Sequence, residues 1–197
     1  MNYEILVNRN NKIPDEEPSL VAFQTRVDLT LSDDKTLSIE TKTYDMWLKL
    51  IGAAKEEGYD FEVISGYRTT EYQQKILEYY ITELGFDTAI KRVALPNYSE
   101  HQTGLAIDFC YFREMEVYGE IISQETDNIK DDDKEFIWIT SNMHKYGFIL
   151  RYPADKVEIT GYIYEPWHIR YVGIELAKYI YENHLTLEEH HQKKLHK

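Results

Sequence analysis

The chain has 197 residues, of which 43% are hydrophobic, and it includes 17 tyrosines and 3 tryptophans. This length and composition indicate one folded domain with a sizeable core and exclude a disordered chain. The formal net charge of -13 disfavours nucleic acids and anionic membranes as partners, because proteins bind both through lysine and arginine.

Cysteine content and hydropathy bear on the cellular location. Cys110 is the single cysteine, so no intramolecular disulfide can form. The opening MNYEILVNRNNKIP lacks the basic and apolar regions of a signal peptide. No apolar run approaches the roughly 18 residues that are needed to cross a bilayer. We therefore expect a cytoplasmic protein without a transmembrane segment.

The first half of the chain predicts an arm followed by helices and a strand. Residues 1–40 contain two prolines and a DEE run, which indicate an arm and loops laid over the domain. Apolar residues at helical spacing predict a helix over 41–58, and alternation predicts a strand over 60–65. A threonine cap and Gly85 bound a second predicted helix over 69–85.

The second half mixes short strands and helices. GLAIDFCYF (104–112) alternates as a strand, with Asp108 and Cys110 on the opposite face from Ile107 and Phe109. The later predicted elements are an acidic loop or flap at 113–133, a helix at 134–147, short strands in FILRYP, EITGYIYE and WHIRYVG, a helix at 174–184 and a solvated tail at 185–197. Without a strict βαβ rhythm, this order predicts one α+β domain over 1–197.

A histidine and an aspartate flank the glycine of SEHQTGLAIDF (99–109). Asp108 stands inside an apolar run, where a charge needs a compensating partner. Seven residues of extended chain span roughly 23 Å, so the chain must turn back at Gly104 for His101 and Asp108 to share an ion. The alternatives are a metal-binding pair, or a surface histidine beside an aspartate at a strand end.

A second acidic and histidine pair lies in YEPWHIR (164–170). Glu165 and His168 are three residues apart, and Pro166 excludes a helix interior there. In a straight strand the two side chains would lie on opposite faces, whereas a bend at the proline would let Glu165 lean over an ion held by His168. The alternative is an aromatic-rich core strand with Glu165 exposed.

Together the two segments predict a catalytic zinc site. His101, Asp108 and His168 supply three ligands and leave the fourth position of zinc open for water, as catalytic zinc requires. The ion would also neutralise Asp108. Glu165 then has a task as general base, since it can accept a proton from the water and pass it to a leaving amine.

An arginine follows the strand in SGYRTTEYQ (65–73). Arg68 lies in the turn before the second predicted helix. A guanidinium at that place can bind a carboxylate or a developing oxyanion. The alternative is a surface arginine without a partner.

Four segments, in this order, resemble the zinc D,D-carboxypeptidases of the VanY type, and among them the bifunctional VanXY D,D-dipeptidase/D,D-carboxypeptidases. These segments are SGYRTTEYQ, SEHQTGLAIDF, YGFILRYP and EITGYIYEPWHIRYVG. The similarity extends from LVNRNNKIP to RYVG, which is most of the chain. It implies a Hedgehog/D,D-peptidase-like fold, in which a small antiparallel sheet carries a zinc site and helices pack against it.

The resemblance also implies roles for single residues. One Zn2+ per chain would be held by His101, Asp108 and His168, while Glu165 would be the catalytic base and Arg68 would contact the scissile carbonyl or terminal carboxylate. The positions implied to bind substrate are Ser65, Gln73, Ser99 and Trp167.

The implied reaction removes C-terminal D-alanine from peptidoglycan precursors, as in enzymes linked to vancomycin resistance. The partners would be the D-Ala-D-Ala dipeptide or muramyl pentapeptide precursors. Ser65 favours the carboxypeptidase side, whereas the lack of a signal or anchor favours the cytoplasmic VanXY enzymes. The alternatives are an L,D-carboxypeptidase that trims tetrapeptide stems in peptidoglycan recycling, and a non-catalytic zinc-containing binding module. Glu165 argues against the module, which needs no acid beside the open zinc position.

Overall fold

The computed structural model describes residues 1–28, 34–114, 121–124 and 129–195. The strands are β1 Leu20–Gln24, β2 Thr36–Glu40, β3 Asp60–Ser65, β4 Ala106–Glu114, β5 Ile121–Gln124, β6 Phe148–Leu150 and β7 His168–Tyr171. The helices are α1 Thr41–Glu56, α2 Thr70–Leu84, α3 Phe86–Ala89, α4 Lys134–Asn142, α5 Val157–Thr160, α6 Ile174–Glu182 and α7 Leu187–Leu195. Short 3-10 turns lie at Glu100–Thr103, Met143–Tyr146 and Ala154–Lys156.

The strands form two antiparallel sheets. β1 and β2 pair with each other, and the larger sheet has the order β3-β4-β7-β6, with β5 paired to the end of β4. β4 and β7 are therefore neighbours, and in their register Asp108 lies opposite His168. On the other side of β4, Ser65 at the end of β3 lies opposite the same aspartate, just after an irregularity in the pairing.

The side chains of β4 alternate between the two faces of the sheet, as the sequence predicted. Ile107, Phe109 and Tyr111 are 0% exposed and pack in the main core with Trp47 of α1, whose ring centroid lies 6.5 Å from that of Phe109. Residues of α4 pack in the same core. Full burial of such a side chain contributes roughly 1.5–3 kcal/mol, so this face holds the sheet to its helices. Asp108 lies on the opposite face.

Two glycines let neighbouring backbones approach each other beside that opposite face. A Cβ on Gly66 would lie 2.5 Å from the carbonyl oxygen of Ser38, so no side chain fits there. Gly104 has a φ of +69°, in the left-handed region that favours glycine, and a Cβ there would lie 2.9 Å from the nitrogen of Glu40. Both contacts bring β2 against the turns that lead into α2 and β4.

The predicted α+β class and most predicted elements are confirmed. The strand predicted at 60–65 is β3, and the helices predicted at 41–58 and 69–85 are α1 and α2. Thr69 caps α2 by accepting a hydrogen bond from the nitrogen of Tyr72 at 3.1 Å. Within the described ranges, no helix is long and apolar enough to cross a membrane.

Two predictions about irregular or strand segments are wrong. EITGYIYE does not form a strand: α5 ends in this segment at Gly161, and the nitrogen of Ile163 donates to the carbonyl of Lys91 in a turn instead of to a sheet. The arm predicted at 1–40 is not merely loops, because it contains β1 and β2 and buries Val7 and Ile39 completely.

The predicted tail at 185–197 is helical and packed over its described part. α7 begins with a capping box, in which Thr186 and Glu189 exchange hydrogen bonds of 2.7 and 3.1 Å between their side chains and backbone nitrogens. Leu187 is 0% exposed and Glu188 is 6% exposed, so burial of this turn explains the error. The acidic loop predicted at 113–133 is partly wrong, because β4 and β5 extend into it; its remaining stretches at 115–120 and 125–128 lie outside the described residues.

Candidate active site

A cavity of about 620 Å³ opens on the face of the sheet that carries Asp108. It lies between the ends of β3, β4 and β7 and the helix α2. The structure brings all nine predicted site residues to its wall, namely Ser65, Arg68, Gln73, Ser99, His101, Asp108, Glu165, Trp167 and His168. These residues come from three separate stretches of the chain, 65–73, 99–108 and 165–168, so only the fold places them together.

The two histidines and the aspartate form a compact triad. Nε2 of His101 lies 3.3 Å from Oδ2 of Asp108, and Nδ1 of His168 lies 3.0 Å from Oδ1 of the same carboxylate. One ligand atom from each residue lies within 4.8 Å of the others, and all three residues are buried. The 3-10 turn at Glu100–Thr103, ended by Gly104, supplies the reversal that the sequence required.

This geometry fits a four-coordinate cation. The distances of 3.3 and 3.0 Å run to different oxygens of Asp108, and one ligand atom from each residue lies within 4.8 Å of the others, so small side-chain shifts would bring all three within the roughly 2.0–2.2 Å at which zinc binds nitrogen and oxygen. Among the described residues, Oδ1 of Asp108 is buried without a hydrogen bond, and it lies 3.0 Å from Nδ1 of His168. A buried carboxylate oxygen without a hydrogen bond is an available ligand for a metal ion. Two imidazoles and one carboxylate are a donor set that zinc accepts.

The ring of His101 is oriented by a backbone carbonyl. Its Nδ1 lies 2.7 Å from the oxygen of Gly66, which can only accept, so Nδ1 carries the proton and Nε2 keeps its lone pair for the triad. The ring of His168 stands at 89° to that of His101, with 4.9 Å between centroids. His168 turns the other nitrogen, Nδ1, toward the triad.

The triad concentrates opposing electrostatic effects. Burial, with help from Arg68, lowers the pKa of His101 to about 4. Burial also acts to lower the pKa of His168, but the nearby carboxylates of Asp108 and Glu100 outweigh it and raise that pKa to about 9. Burial acts to raise the pKa of Asp108, yet both histidines hold it well below its usual range. The carboxylate is thus charged in the interior, where Arg68 at 2.8 Å supplies one positive charge and a protonated His168 or a metal ion can supply another.

Glu165 is separated from His168 by a tight turn at Pro166. The nitrogen of His168 donates to the carbonyl of Glu165 at 3.2 Å, which closes the turn, and Oε2 of Glu165 lies 3.8 Å from Nδ1 of His168. The bend predicted from the proline therefore brings Glu165 beside the triad. Burial raises the pKa of Glu165 to about 8, although His168 opposes the shift. A carboxyl with its pKa raised toward neutrality is suited to accept and return a proton.

Arg68 is held beside the triad by hydrogen bonds. It donates to Oδ2 of Asp108 at 2.8 Å, to Oγ of Ser65 at 2.8 and 3.1 Å, and to Oε1 of Gln73 at 3.4 Å. The amide nitrogen of Gln73 in turn donates to the carbonyl of Ala94 at 2.8 Å. Ser65 and Gln73 therefore hold the guanidinium in place, while the predicted contact of Arg68 with a substrate carboxylate or oxyanion stays a prediction.

Ser99 and Trp167 complete the wall of the cavity. Ser99 precedes the turn that carries His101, and its carbonyl accepts from the nitrogen of Gln102 at 3.1 Å. Trp167 is partly buried against the main core, and its carbonyl accepts from the nitrogen of Phe109 at 3.1 Å. Both residues are part of the framework of the site as well as of its surface.

The sequence analysis missed the residues behind the triad. Glu100 is 2% exposed and lies 3.6 Å from His168, and the ring of Tyr152 lies 4.9 Å from that of His168. A signal for Glu100 existed, since an acidic residue directly before a predicted ligand within an otherwise buried segment needs a partner. The partners of Glu100, Arg151 and Arg170, stand in predicted strands and carry no local signal.

Comparison with known proteins places this geometry in a family. Residues 36–174 match the VanY family, which is described as D-alanyl-D-alanine carboxypeptidase. The D-alanyl-D-alanine carboxypeptidase of Enterococcus faecalis is 40% identical over 197 residues, covering 94% of this chain and 64% of that protein. The bifunctional D-Ala-D-Ala dipeptidase and D-Ala-D-Ala carboxypeptidase VanXYC of Enterococcus gallinarum is 36% identical over 198 residues. The match covers 97% of this chain and 94% of that protein. The chain thus spans just under two thirds of the Enterococcus faecalis protein, and 66% of a curated relative from Bacillus subtilis.

Solved structures show the same fold. A vancomycin-resistance D,D-pentapeptidase VanY mutant in complex with Zn(II) is 37% identical with a TM-score of 0.74, covering 96% of this chain and 98% of that one. VanYB in complex with D-alanine-D-alanine is 36% identical with a TM-score of 0.74, and the match covers 96% of this chain and 97% of that one. The LdcB LD-carboxypeptidase is 38% identical with a TM-score of 0.74, and the match covers 95% of this chain and 85% of that one. The predicted D,D-peptidase-like fold is confirmed.

Proposed function

The chain belongs to the VanY family of D-alanyl-D-alanine carboxypeptidases, and from this premise we propose that it is a zinc metallopeptidase that removes C-terminal D-alanine from peptidoglycan precursors. The observation that carries the proposal is the buried triad of His101, Asp108 and His168 at the wall of an open cavity, with Glu165 beside it. A binding module would have no use for a carboxyl whose pKa is raised next to the ligands.

The ligand set accounts for one Zn2+ per chain. His101 offers Nε2 because Gly66 occupies its other nitrogen, and His168 offers Nδ1. Asp108 supplies a carboxylate oxygen. All three ligand residues line the cavity, so the site is open to it. When bound there, zinc supplies Lewis-acid activation of water and polarisation of the scissile carbonyl.

Side chains of this protein transfer the proton and stabilise the negative charge that develops on the substrate. Glu165 accepts the proton of the attacking water and returns it to the nitrogen of the leaving D-alanine. Arg68, held in place by Ser65 and Gln73, donates to the oxygen that develops negative charge. Ser99 and Trp167 line the cavity beside them and bind the peptide on which the reaction occurs.

The cavity favours a peptide stem over a free dipeptide. Its volume of about 620 Å³ lies within the range of pockets that enclose drug-sized ligands, which exceed a two-residue peptide in size. A muramyl pentapeptide precursor ending in D-Ala-D-Ala is therefore the preferred substrate of the proposal, with D-Ala-D-Ala dipeptide as a second one. A cytoplasmic location is the matching expectation for activity on such precursors.

A second candidate function is L,D-carboxypeptidase activity on tetrapeptide stems. The observation that favours it is the similarity to the LdcB LD-carboxypeptidase, which equals the similarity to the VanY structures. The stereochemistry at the residue before the scissile bond distinguishes the two candidates, and substrate comparison measures it directly.

The test offers the purified zinc-loaded protein a pentapeptide stem, a tetrapeptide stem and free D-Ala-D-Ala, and measures released D-alanine. We expect the pentapeptide to be cut most efficiently. Preferred cleavage of the tetrapeptide would establish the L,D alternative, and release of D-alanine from none of the three would overturn the peptidase proposal.

Glu165→Gln tests the mechanism because it keeps the shape of the side chain and removes its proton-accepting oxygen. We expect kcat to fall by a factor on the order of 10² to 10⁴, the usual contribution of a positioned acid or base, while KM changes little. The zinc content should stay at the parental value. Loss of zinc from the variant would make Glu165 a ligand or support, and a parental kcat would exclude it as the base.

A further inference from the structure

The nitrogen of His168 that does not face Asp108 lies near a buried carboxylate. Nε2 of His168 lies 3.6 Å from Oε2 of Glu100. Both atoms are buried, and neither has a hydrogen bond within the described part of the chain. Buried polar atoms rarely stay unpaired, and an approach of a few tenths of an ångström would turn this contact into a hydrogen bond.

The other oxygen of Glu100 is held by two arginines. Oε1 accepts from Nε of Arg151 at 2.8 Å and from Nη1 of Arg170 at 2.7 Å, and both arginine side chains are 0% exposed. The two guanidinium groups thus supply positive charge to a carboxylate whose side chain is only 1% exposed. Glu100 is thus a fixed, charged acceptor behind His168.

The arginines are themselves tied to remote parts of the chain. Arg151 donates to both oxygens of Glu188 in α7, at 2.9 and 2.7 Å. Arg170 donates to the carbonyls of Tyr3 and Ile5, at 3.2 and 2.9 Å. Two carboxylates and two guanidinium groups cancel in charge, which is the condition under which buried ions are tolerated. The position of Glu100 is therefore determined by contacts outside the cavity.

We infer that Glu100 is a positioning residue that orients His168 for metal binding and sets which of its nitrogens carries the proton. A carboxylate at Nε2 requires a proton on that nitrogen, which leaves the lone pair on Nδ1 facing Asp108. Gly66 does the same for His101 from the opposite nitrogen. The inference rests on the proposed function, because it takes His168 as a metal ligand.

A purely structural role for Glu100 makes a different prediction. If Glu100 only neutralised the two arginines, its loss would lower stability without a specific effect on metal affinity. A comparison variant is available in Glu135, which is also buried and ion-paired, with Nη2 of Arg113 at 2.6 Å. Glu135 is not among the residues that line the cavity.

The first measurement needs no substitution. Long-range ¹⁵N–¹H correlation spectra of the zinc-loaded parent protein report which nitrogen of each histidine is protonated. We expect His168 to carry its proton on Nε2 and His101 to carry it on Nδ1. A proton on Nδ1 of His168 would overturn the inference, and this result is independent of whether any variant folds.

The second measurement compares zinc affinity, by competition with a chromophoric chelator, among the parent, Glu100→Gln and Glu135→Gln. We expect Glu100→Gln to bind zinc 10- to 100-fold more weakly, as is typical when the carboxylate partner of a ligand histidine is removed, and Glu135→Gln to match the parent. A Glu100→Gln protein whose affinity lies within twofold of a zinc-binding parent would overturn this inference alone. A parent that binds no zinc would overturn the proposed function and the inference with it.

Discussion

Replacing Arg151 by methionine should destabilise the protein more than most single substitutions. Arg151 makes three hydrogen bonds of 2.7 to 2.9 Å to the carboxylates of Glu100 and Glu188. Glu100 keeps Arg170 in the variant, whereas Glu188 keeps only the amide of Asn8 at 3.1 Å among its described partners. Loss of one member of a buried ion pair costs about 3–5 kcal/mol. For a chain of this size that lowers Tm by roughly 6–20 °C.

Urea denaturation of the metal-free parent and variant at pH 7 measures this loss of stability. The metal-free form is used so that zinc binding does not contribute to the difference.

A compensating variant provides the control. Arg151→Met combined with Glu188→Met removes both members of the pair and leaves Glu100 with Arg170, so at least about 2 kcal/mol of the lost stability should return. A single variant that loses less than about 1 kcal/mol at pH 7, or a double variant no more stable than the single one, would refute the reasoning.

Three further outcomes are expected. Removing metal with a chelator should abolish D-alanine release and lower Tm, and one equivalent of zinc should restore both, because an ion that binds only the folded state stabilises it; a Tm unaffected by zinc would count against the site. Cys110→Ser should retain activity, since Cys110 is 1% exposed and has no place in the proposed reaction; rapid inactivation by a thiol reagent, blocked by substrate, would instead indicate a cysteine nucleophile. Thr186→Ala should destabilise by about 0.5–2 kcal/mol through loss of the cap of α7, and unchanged urea denaturation would show that the capping box contributes nothing.

The ligand triad could be predicted because its residues conflict with their surroundings. Asp108 in an apolar strand requires a partner, and that conflict is visible in a short stretch of sequence. For His101 and His168 the local patterns left non-metal alternatives open, and the resemblance to the VanY type decided between them. The left-handed glycine at Gly104 gave the turn that joins His101 to Asp108. Alternation along β4 correctly separated the core face from the face of the site.

The support behind the triad could not be predicted, because its members are far apart in the chain. Glu100 is 51 residues from Arg151, and Arg151 is 37 residues from Glu188. No periodicity links them, and an arginine in a short strand is usually exposed. The start of α7 could have been predicted, since TLEE at 186–189 has the capping-box pattern. The charged residues that follow it favoured a solvated tail instead.

The contacts behind the site also bear on the order in which the protein folds. Asn8 and Glu188 are 180 residues apart in sequence, and Arg170 is 165 residues from Ile5, so both contacts close very large loops. Contacts of such separation form late, because the chain must lose the entropy of closing a large loop before the contact can stabilise the fold. During synthesis, Arg151 cannot be neutralised from both sides until residue 188 has left the ribosome. The support behind His168 is therefore expected to form among the last contacts of folding, after the sheet that carries the triad.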